Sequence, residues 1–99
     1  MNRPYYSEYV RHALRFYTRN LSLTRFKSDA DKNNWHACDS IIKNCPDIDR
    51  EVLVAVYGGY DTLSDNVYET AKKYGINQAL IWDLMKDVER KIAKRRGLM

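Results

Sequence analysis

The sequence predicts an all-α protein, a small bundle of about five helices within a single domain. Apolar residues recur at helical spacing along most of the chain, and capping residues, proline or paired glycines separate the helical stretches. No stretch alternates apolar and polar residues over the length of a strand. A chain of 99 residues supports one core of modest size, so we expect one domain over residues 1–99.

The composition is that of a globular protein, with 44% apolar and 30% charged residues. No run approaches the roughly 18 apolar residues of a membrane span, and the N-terminus lacks the apolar core of a signal peptide. We therefore expect a cytoplasmic protein with no membrane partner. Cys38 and Cys45 lie two turns apart in a predicted helix, about 10 Å, which is too far for a disulfide. We expect reduced thiols, no metal site and no cofactor.

The formal net charge of +4 is distributed unevenly. Residues 1–27 carry six basic residues and one acidic residue. Residues 28–60 carry three basic and six acidic residues, and residues 61–99 carry eight basic and six acidic residues. The positive charge is therefore concentrated towards both ends of the chain, which suits a polyanionic partner such as nucleic acid.

The first predicted helix has Pro4 in its first turn. Its apolar face consists of five residues at helical spacing: Tyr6, Val10, Ala13, Leu14 and Tyr17. On its opposite side Arg11, Arg15 and Arg19 follow one another at four-residue steps. This arginine row is either a solvated face or a surface that contacts phosphate or a partner.

Two more helices precede the central glycines. Ser28 and Asp31 form a capping box, and the helix they open ends at Pro46. Its apolar stripe is Trp35, Cys38, Ile41, Ile42 and Cys45. Asp47 is the predicted N-cap of the third helix, which stops at Gly58 and Gly59. The apolar face of this third helix is Ile48, Val52, Leu53, Val56 and Tyr57. We assign no role to the N-terminal helical part, residues 1–45.

The last two helices are joined at Gly75, where positive φ would end the first of them. Ser64 is the predicted N-cap of the fourth helix and Asn77 that of the fifth. The inward residues of the fourth helix are Val67, Thr70, Ala71 and Tyr74. The inner stripe of the fifth is Leu80, Ile81, Leu84, Val88 and Ile92.

The spacing of five residues at this turn resembles the helix-turn-helix of bacterial transcription regulators: Ala71, Gly75, Ile76, Ile81 and Leu84. Residues 49–99 as a whole are similar to the fourth region of sigma factors and to sigma-like regulators of phages and mobile elements. The resemblance implies a DNA-binding transcription regulator in which residues 47–99 form the sigma-like part. Its implied partners are double-stranded DNA, RNA polymerase and a second copy of the chain.

The resemblance also implies which residues would contact DNA when the fifth helix enters the major groove. Base contacts would come from Asn77, Gln78, Ala79, Trp82 and Lys86. Phosphate contacts would come from Lys72, Lys73, Arg90, Lys91, Lys94, Arg95 and Arg96. Asn and Gln can pair with adenine, and Ala can touch a thymine methyl. Trp82 and Asp83 depart from the family pattern, and Trp82 would alternatively pack within the molecule or at a protein interface.

The alternative function is a helical protein–protein interaction module that uses the same fold without DNA. In that case Trp82 and the tyrosines would form the interface. We expect no enzyme, because Gly58 and Gly59 lack the lysine and spacing of a phosphate-binding loop. No metalloprotease or nucleophile-elbow motif occurs either.

Overall fold

The computed structural model describes residues 4–99, and within them every regular element is an α-helix. The five helices are α1 (Ser7–Arg19), α2 (Asp29–Ile42), α3 (Asp47–Gly58), α4 (Leu63–Tyr74) and α5 (Gln78–Arg95). The predicted all-α class and helix number are therefore confirmed. Arg3, one of the basic residues counted in the N-terminal segment, lies outside the described residues.

The helices pack around one apolar core to which all five contribute. α1 packs on α2, α3 and α5, α4 packs on α3 and α5, and α5 also contacts α2 and α3. The largest fully buried side chains of the core include Leu14, Ile42, Leu53, Tyr57 and Ile81. Among the helices formed by residues 4–99, none is both long and apolar enough to cross a membrane.

The ends of the first two helices differ from the prediction. α1 begins at Ser7, and Pro4 precedes it in a turn in which the Pro4 carbonyl accepts from the Ser7 N–H at 3.1 Å. Ser28 caps α2 as predicted, since its hydroxyl accepts from the Asp31 N–H at 3.1 Å. α2 ends at Ile42, and Cys45 lies in the following turn. Cys45 and the buried Cys38 are free thiols.

Two predicted N-caps are wrong. Pro46 occupies the N-cap position of α3, and Asp47 is the first helical residue, where its carboxylate pairs with Arg50. Thr62 rather than Ser64 caps α4, because its Oγ1 accepts from the Asp65 N–H at 3.2 Å. This earlier start brings Leu63 into the first turn, where it packs against the core.

Two predicted core positions lie at the surface. Leu80 is 62% exposed because the inward row of α5 is Ile81, Met85, Val88 and Ile92, at four- and three-residue steps. Leu84 is only partly buried at the edge of this row. Ile48, in the first turn of α3 before its first buried residue, is 46% exposed.

A buried ionic cluster that was not predicted joins α1, α3 and α5. The carboxylate of Glu89, buried in α5, accepts from the Tyr57 hydroxyl at 2.5 Å and from Arg11 Nε at 2.9 Å. Arg11 therefore does not belong to a solvated arginine row. Arg19 is also engaged, since it donates to the Gly59 carbonyl at 2.7 Å and lies over the Tyr60 ring. Burial and the Glu89 carboxylate raise the pKa of Tyr57.

Candidate nucleic-acid interface

The connection between α4 and α5 is a tight turn stabilised by backbone hydrogen bonds. Gly75 has φ 64° and ψ 38°, the left-handed conformation that favours glycine. The N–H groups of Gly75 and Ile76 both donate to the Ala71 carbonyl, which satisfies the end of α4. Ala71 is buried and Ile76 is half-buried against the core. The predicted conformation of Gly75 is confirmed.

The first turn of α5 projects into solvent. Asn77 caps this helix as predicted, and its Oδ1 accepts from the Ala79 N–H at 2.8 Å. Gln78 and Ala79 are exposed, and the side-chain amide of Gln78 has no hydrogen-bond partner among residues 4–99. A bidentate pair with adenine uses both the oxygen and the nitrogen of an amide. Asn77 would have to release its cap to form one, whereas Gln78 is free to do so.

One row of α5 faces away from the core along the whole helix. Its members follow one another at three- and four-residue steps: Ala79, Asp83, Lys86, Arg90 and Lys94. Eight residues separate Gln78 from Lys86, about 12 Å along the axis, and seventeen separate Gln78 from Arg95, about 26 Å. Gln78 and the C-terminal cations Lys94 and Arg95 therefore lie at opposite ends of this helix, and Lys86 lies midway.

Trp82 is half-buried and packs against the apolar core, so much of its indole is occupied within the molecule. Asp83, the next residue, is exposed. The two residues that depart from the family pattern therefore have different environments. Any ligand on the outward row of α5 meets the Asp83 carboxylate, whereas Trp82 is only partly accessible.

A shallow cleft beside the turn brings two predicted contact residues together. Its lining residues are Tyr68, Ala71, Lys72, Gly75, Ile76 and Gln78. Lys72 and Gln78 are both exposed, so an ammonium group and a free amide border the same surface. Lys73 is also exposed, and its Nζ lies 5.4 Å from the centre of the Tyr74 ring.

The basic residues at the end of α5 fall into two groups. Arg90 and Lys91 pair with the Asp87 carboxylate at 3.1 and 2.9 Å, and these cations lower the pKa of Asp87. Arg96 donates from Nε to the side-chain oxygen of Asn34 at 2.7 Å. In contrast, Lys94 and Arg95 are exposed and have no partner within the described part of the chain. Lys94 and Arg95 are thus the cations of this cluster that are free to meet an anion.

The turn is also flanked by two exposed apolar side chains, Tyr68 and Leu80. Tyr68 is 52% exposed on α4, and Leu80 lies one residue beyond Ala79 in the first turn of α5. The steps between Ile81, Met85, Val88 and Ile92 were the sequence signal that leaves Leu80 outside the buried row.

Comparison with known proteins finds no match, whether to protein-family models, to curated protein sequences or to solved structures.

Proposed function

We propose that the protein is a sigma-like DNA-binding transcription regulator of phage or mobile-element type. In this proposal α4 and α5 form a helix-turn-helix, and the first turn of α5 enters the major groove of double-stranded DNA. One observation carries the proposal: Gln78, a free amide, and Lys72, a free ammonium group, border the same exposed cleft at the Gly75 turn. A base reader and a phosphate contact on one surface are the minimum that groove docking requires.

The chemistry of the first turn favours an A·T step next to the protein. Gln78 can accept from adenine N6 and donate to N7, and the exposed methyl group of Ala79 can contact a thymine methyl. Asp83, about one turn further along, repels phosphate but can accept from the cytosine amino group. The proposal therefore includes a preference for cytosine at the base opposite Asp83.

Which lysines and arginines can contact phosphate depends on the angle at which α5 docks. Lys72 and Lys73 at the end of α4 lie next to the turn, whereas Lys94 and Arg95 lie about 24–26 Å from Gln78 along α5. The major groove is about 12 Å wide. Lys94 and Arg95 can contact phosphate only if α5 lies lengthwise along the groove. If α5 docks by its N-terminus, Lys72, Lys73 and Lys86 provide the phosphate contacts.

A single helix-turn-helix binds DNA weakly and commonly acts as a dimer or beside another DNA-binding protein. The proposed partner is therefore a second copy of the chain or RNA polymerase.

A second function with its own support is that of a protein-interaction module. Leu80 and Tyr68 expose apolar surface on both sides of the turn, and aromatic and aliphatic side chains of this kind form the centre of protein interfaces. On this alternative the same face of α4 and α5 would bind a protein rather than DNA.

The test is site selection from a random duplex pool, followed by affinity measurements on the selected site. Gln78→Ala should weaken binding to the selected site by about 1–3 kcal/mol and leave binding to random DNA almost unchanged. Lys72→Ala should weaken both to a similar extent. Asn33→Ala, which removes another exposed amide, is the matched control. Failure to enrich any sequence, or equal effects of Gln78→Ala and Asn33→Ala, would contradict the proposal and favour the interaction module.

A further inference from the structure

A cleft lined by residues of the segment 23–36, outside α4 and α5, combines aromatic rings with basic side chains that form no ion pair in the part of the chain that the structure describes. It is formed by the connection between α1 and α2 and by the first two turns of α2, and its volume is about 810 Å³. Its lining includes three aromatic and three basic residues: Phe26, Trp35, His36, Arg25, Lys27 and Lys32. No residue of the proposed DNA-binding surface contributes to it.

The aromatic residues form a fixed group rather than separate exposed rings. Trp35 donates from its indole N–H to the Asn20 carbonyl at 2.9 Å, and its ring meets the Tyr17 ring edge-on with centroids 5.2 Å apart. The Phe26 ring lies 5.9 Å from Trp35 and 5.7 Å from His36. A ring held in place in this way can stack on a planar ligand with little loss of conformational entropy.

The charge around these rings is net positive. Arg25, Lys27 and Lys32 are exposed and form no ion pair within residues 4–99, while Asp29 is the one carboxylate in the lining. Three other clefts differ in this respect. Asp47 and Glu51 line one of them with Arg50, and Asp49 and Asp87 line another with Lys91. The cleft at the Gly75 turn contains one cation, Lys72, and a single tyrosine.

We propose that this aromatic cleft binds a nucleotide unit, with the base stacked against Phe26 and Trp35 and the phosphate near Arg25, Lys27 and Lys32. Stacking on aromatic rings together with cationic contacts to phosphate is the combination by which proteins hold unpaired nucleotides. The bases of a duplex are stacked inside the helix and present only their edges, so double-stranded DNA does not supply this ligand. A free mononucleotide and an unpaired nucleotide of a single strand share the required chemistry.

The experiment is a titration of the ¹⁵N-labelled chain followed by ¹H–¹⁵N correlation spectra. The Trp35 indole N–H is the reporter at the cleft, and the Trp82 indole N–H is the reporter on the proposed DNA-binding part. Adenosine monophosphate should move the Trp35 signal and those of residues 23–36 saturably and leave Trp82 unmoved. Adenosine and inorganic phosphate, each lacking half of the ligand, should bind at least about ten-fold more weakly. A ten-residue single strand distinguishes the two sources, since binding of the strand alone assigns the cleft to an unpaired nucleotide within a chain.

Substitutions then assign the two halves of the site. Phe26→Leu keeps an apolar side chain and should weaken binding about ten-fold, while Lys27→Gln should weaken it a few-fold. Lys43→Gln, at the other end of α2, should have no effect. Lys27 is exposed, so its variant keeps the test valid if Phe26→Leu disturbs folding. Equal shifts with phosphate alone, or no movement of Trp35 with either nucleotide source, would overturn the proposal. Gln78→Ala should leave nucleotide binding unchanged, so failure here and failure of the proposed duplex binding can be told apart.

Discussion

Removal of the Glu89 carboxylate should be among the most destabilising single changes available in this chain. Glu89 is only 3% exposed, and its Oε2 accepts hydrogen bonds from helices α1 and α3. In Glu89→Ala, the fully buried Tyr57 hydroxyl loses its partner. Arg11, whose side chain is 15% exposed, keeps a charge that water only partly solvates.

The size of the effect follows from these contacts. Hydrogen bonds to a charged group contribute about 1.5–3 kcal/mol each, and breaking one side of a buried ion pair costs about 3–5 kcal/mol. We therefore expect Glu89→Ala to lower the free energy of unfolding by about 3–5 kcal/mol. A domain of this size has about 5–15 kcal/mol in total. Tyr57→Phe should cost less, about 1.5–3 kcal/mol, because Arg11 still neutralises the carboxylate.

Urea unfolding followed by circular dichroism at 222 nm measures these differences. Asp83→Ala, which removes an exposed carboxylate from the same helix, is the control and should change stability by less than about 0.5 kcal/mol. If Glu89→Ala does not fold, Glu89→Gln, which keeps the shape and one acceptor, provides the measurement. A loss below about 1 kcal/mol for Glu89→Ala would contradict this prediction, because it would mean that water solvates this carboxylate in the folded protein.

Three further predictions concern local features. Thr62→Ala should lower the free energy of unfolding by about 1 kcal/mol and Ser64→Ala by only a few tenths, as urea unfolding would show; the reverse order would restore Ser64 as the cap. Burial raises the pKa of the Cys38 thiol to about 12, so a thiol reagent at neutral pH should label the half-buried Cys45 first and Cys38 only on unfolding; equal rates would contradict this burial. Folding raises the pKa of the Tyr57 hydroxyl, so the protonated hydroxyl stabilises the fold fully below about pH 10 and this contribution is lost at higher pH. The free energy of unfolding should therefore decline less steeply at high pH in Tyr57→Phe, and an unchanged pH profile in that variant would contradict the prediction.

The existence and type of the helices could be predicted because apolar residues repeat at helical spacing in every one of them. Their ends could be predicted less well, because capping residues compete. Thr62 and Ser64 are both residue types that cap helices, and the structure uses Thr62, which places Leu63 in the first turn against the core. Likewise, Pro46 occupies the N-cap position of α3, so Asp47 is the first helical residue and pairs with Arg50.

The inward face of a helix depends on its neighbours, which a single helix does not specify. Leu80 is apolar but lies outside the row that α5 buries, whereas Glu89 is charged and lies within it. A prediction of buried positions from apolar residues alone therefore includes Leu80 and omits Glu89. The partner that makes Glu89 acceptable, Arg11, is 78 residues away in sequence.

The candidate site shows the same division between local and distant interactions. The conformation of Gly75 and the cap at Asn77 depend on residues close in sequence and were predictable. The pairing of Arg90 and Lys91 with Asp87 was also within reach, since these residues are three and four positions apart. The contact of Arg96 with Asn34, which spans 62 residues, required the tertiary structure.

The surface around the Gly75 turn is proposed to bind duplex DNA. Fluorescence anisotropy with a labelled random duplex, titrated from about 50 mM salt upwards, tests it most directly. If Lys72, Lys73 and Lys86 contact phosphate, the logarithm of the binding constant should fall with the logarithm of salt concentration with a slope of about −3, and a steeper slope would add Lys94 and Arg95. The double variant Lys72→Ala/Lys73→Ala should reduce that slope by about two. Absence of duplex binding at the lowest salt, or a slope that the double variant leaves unchanged, would contradict the claim.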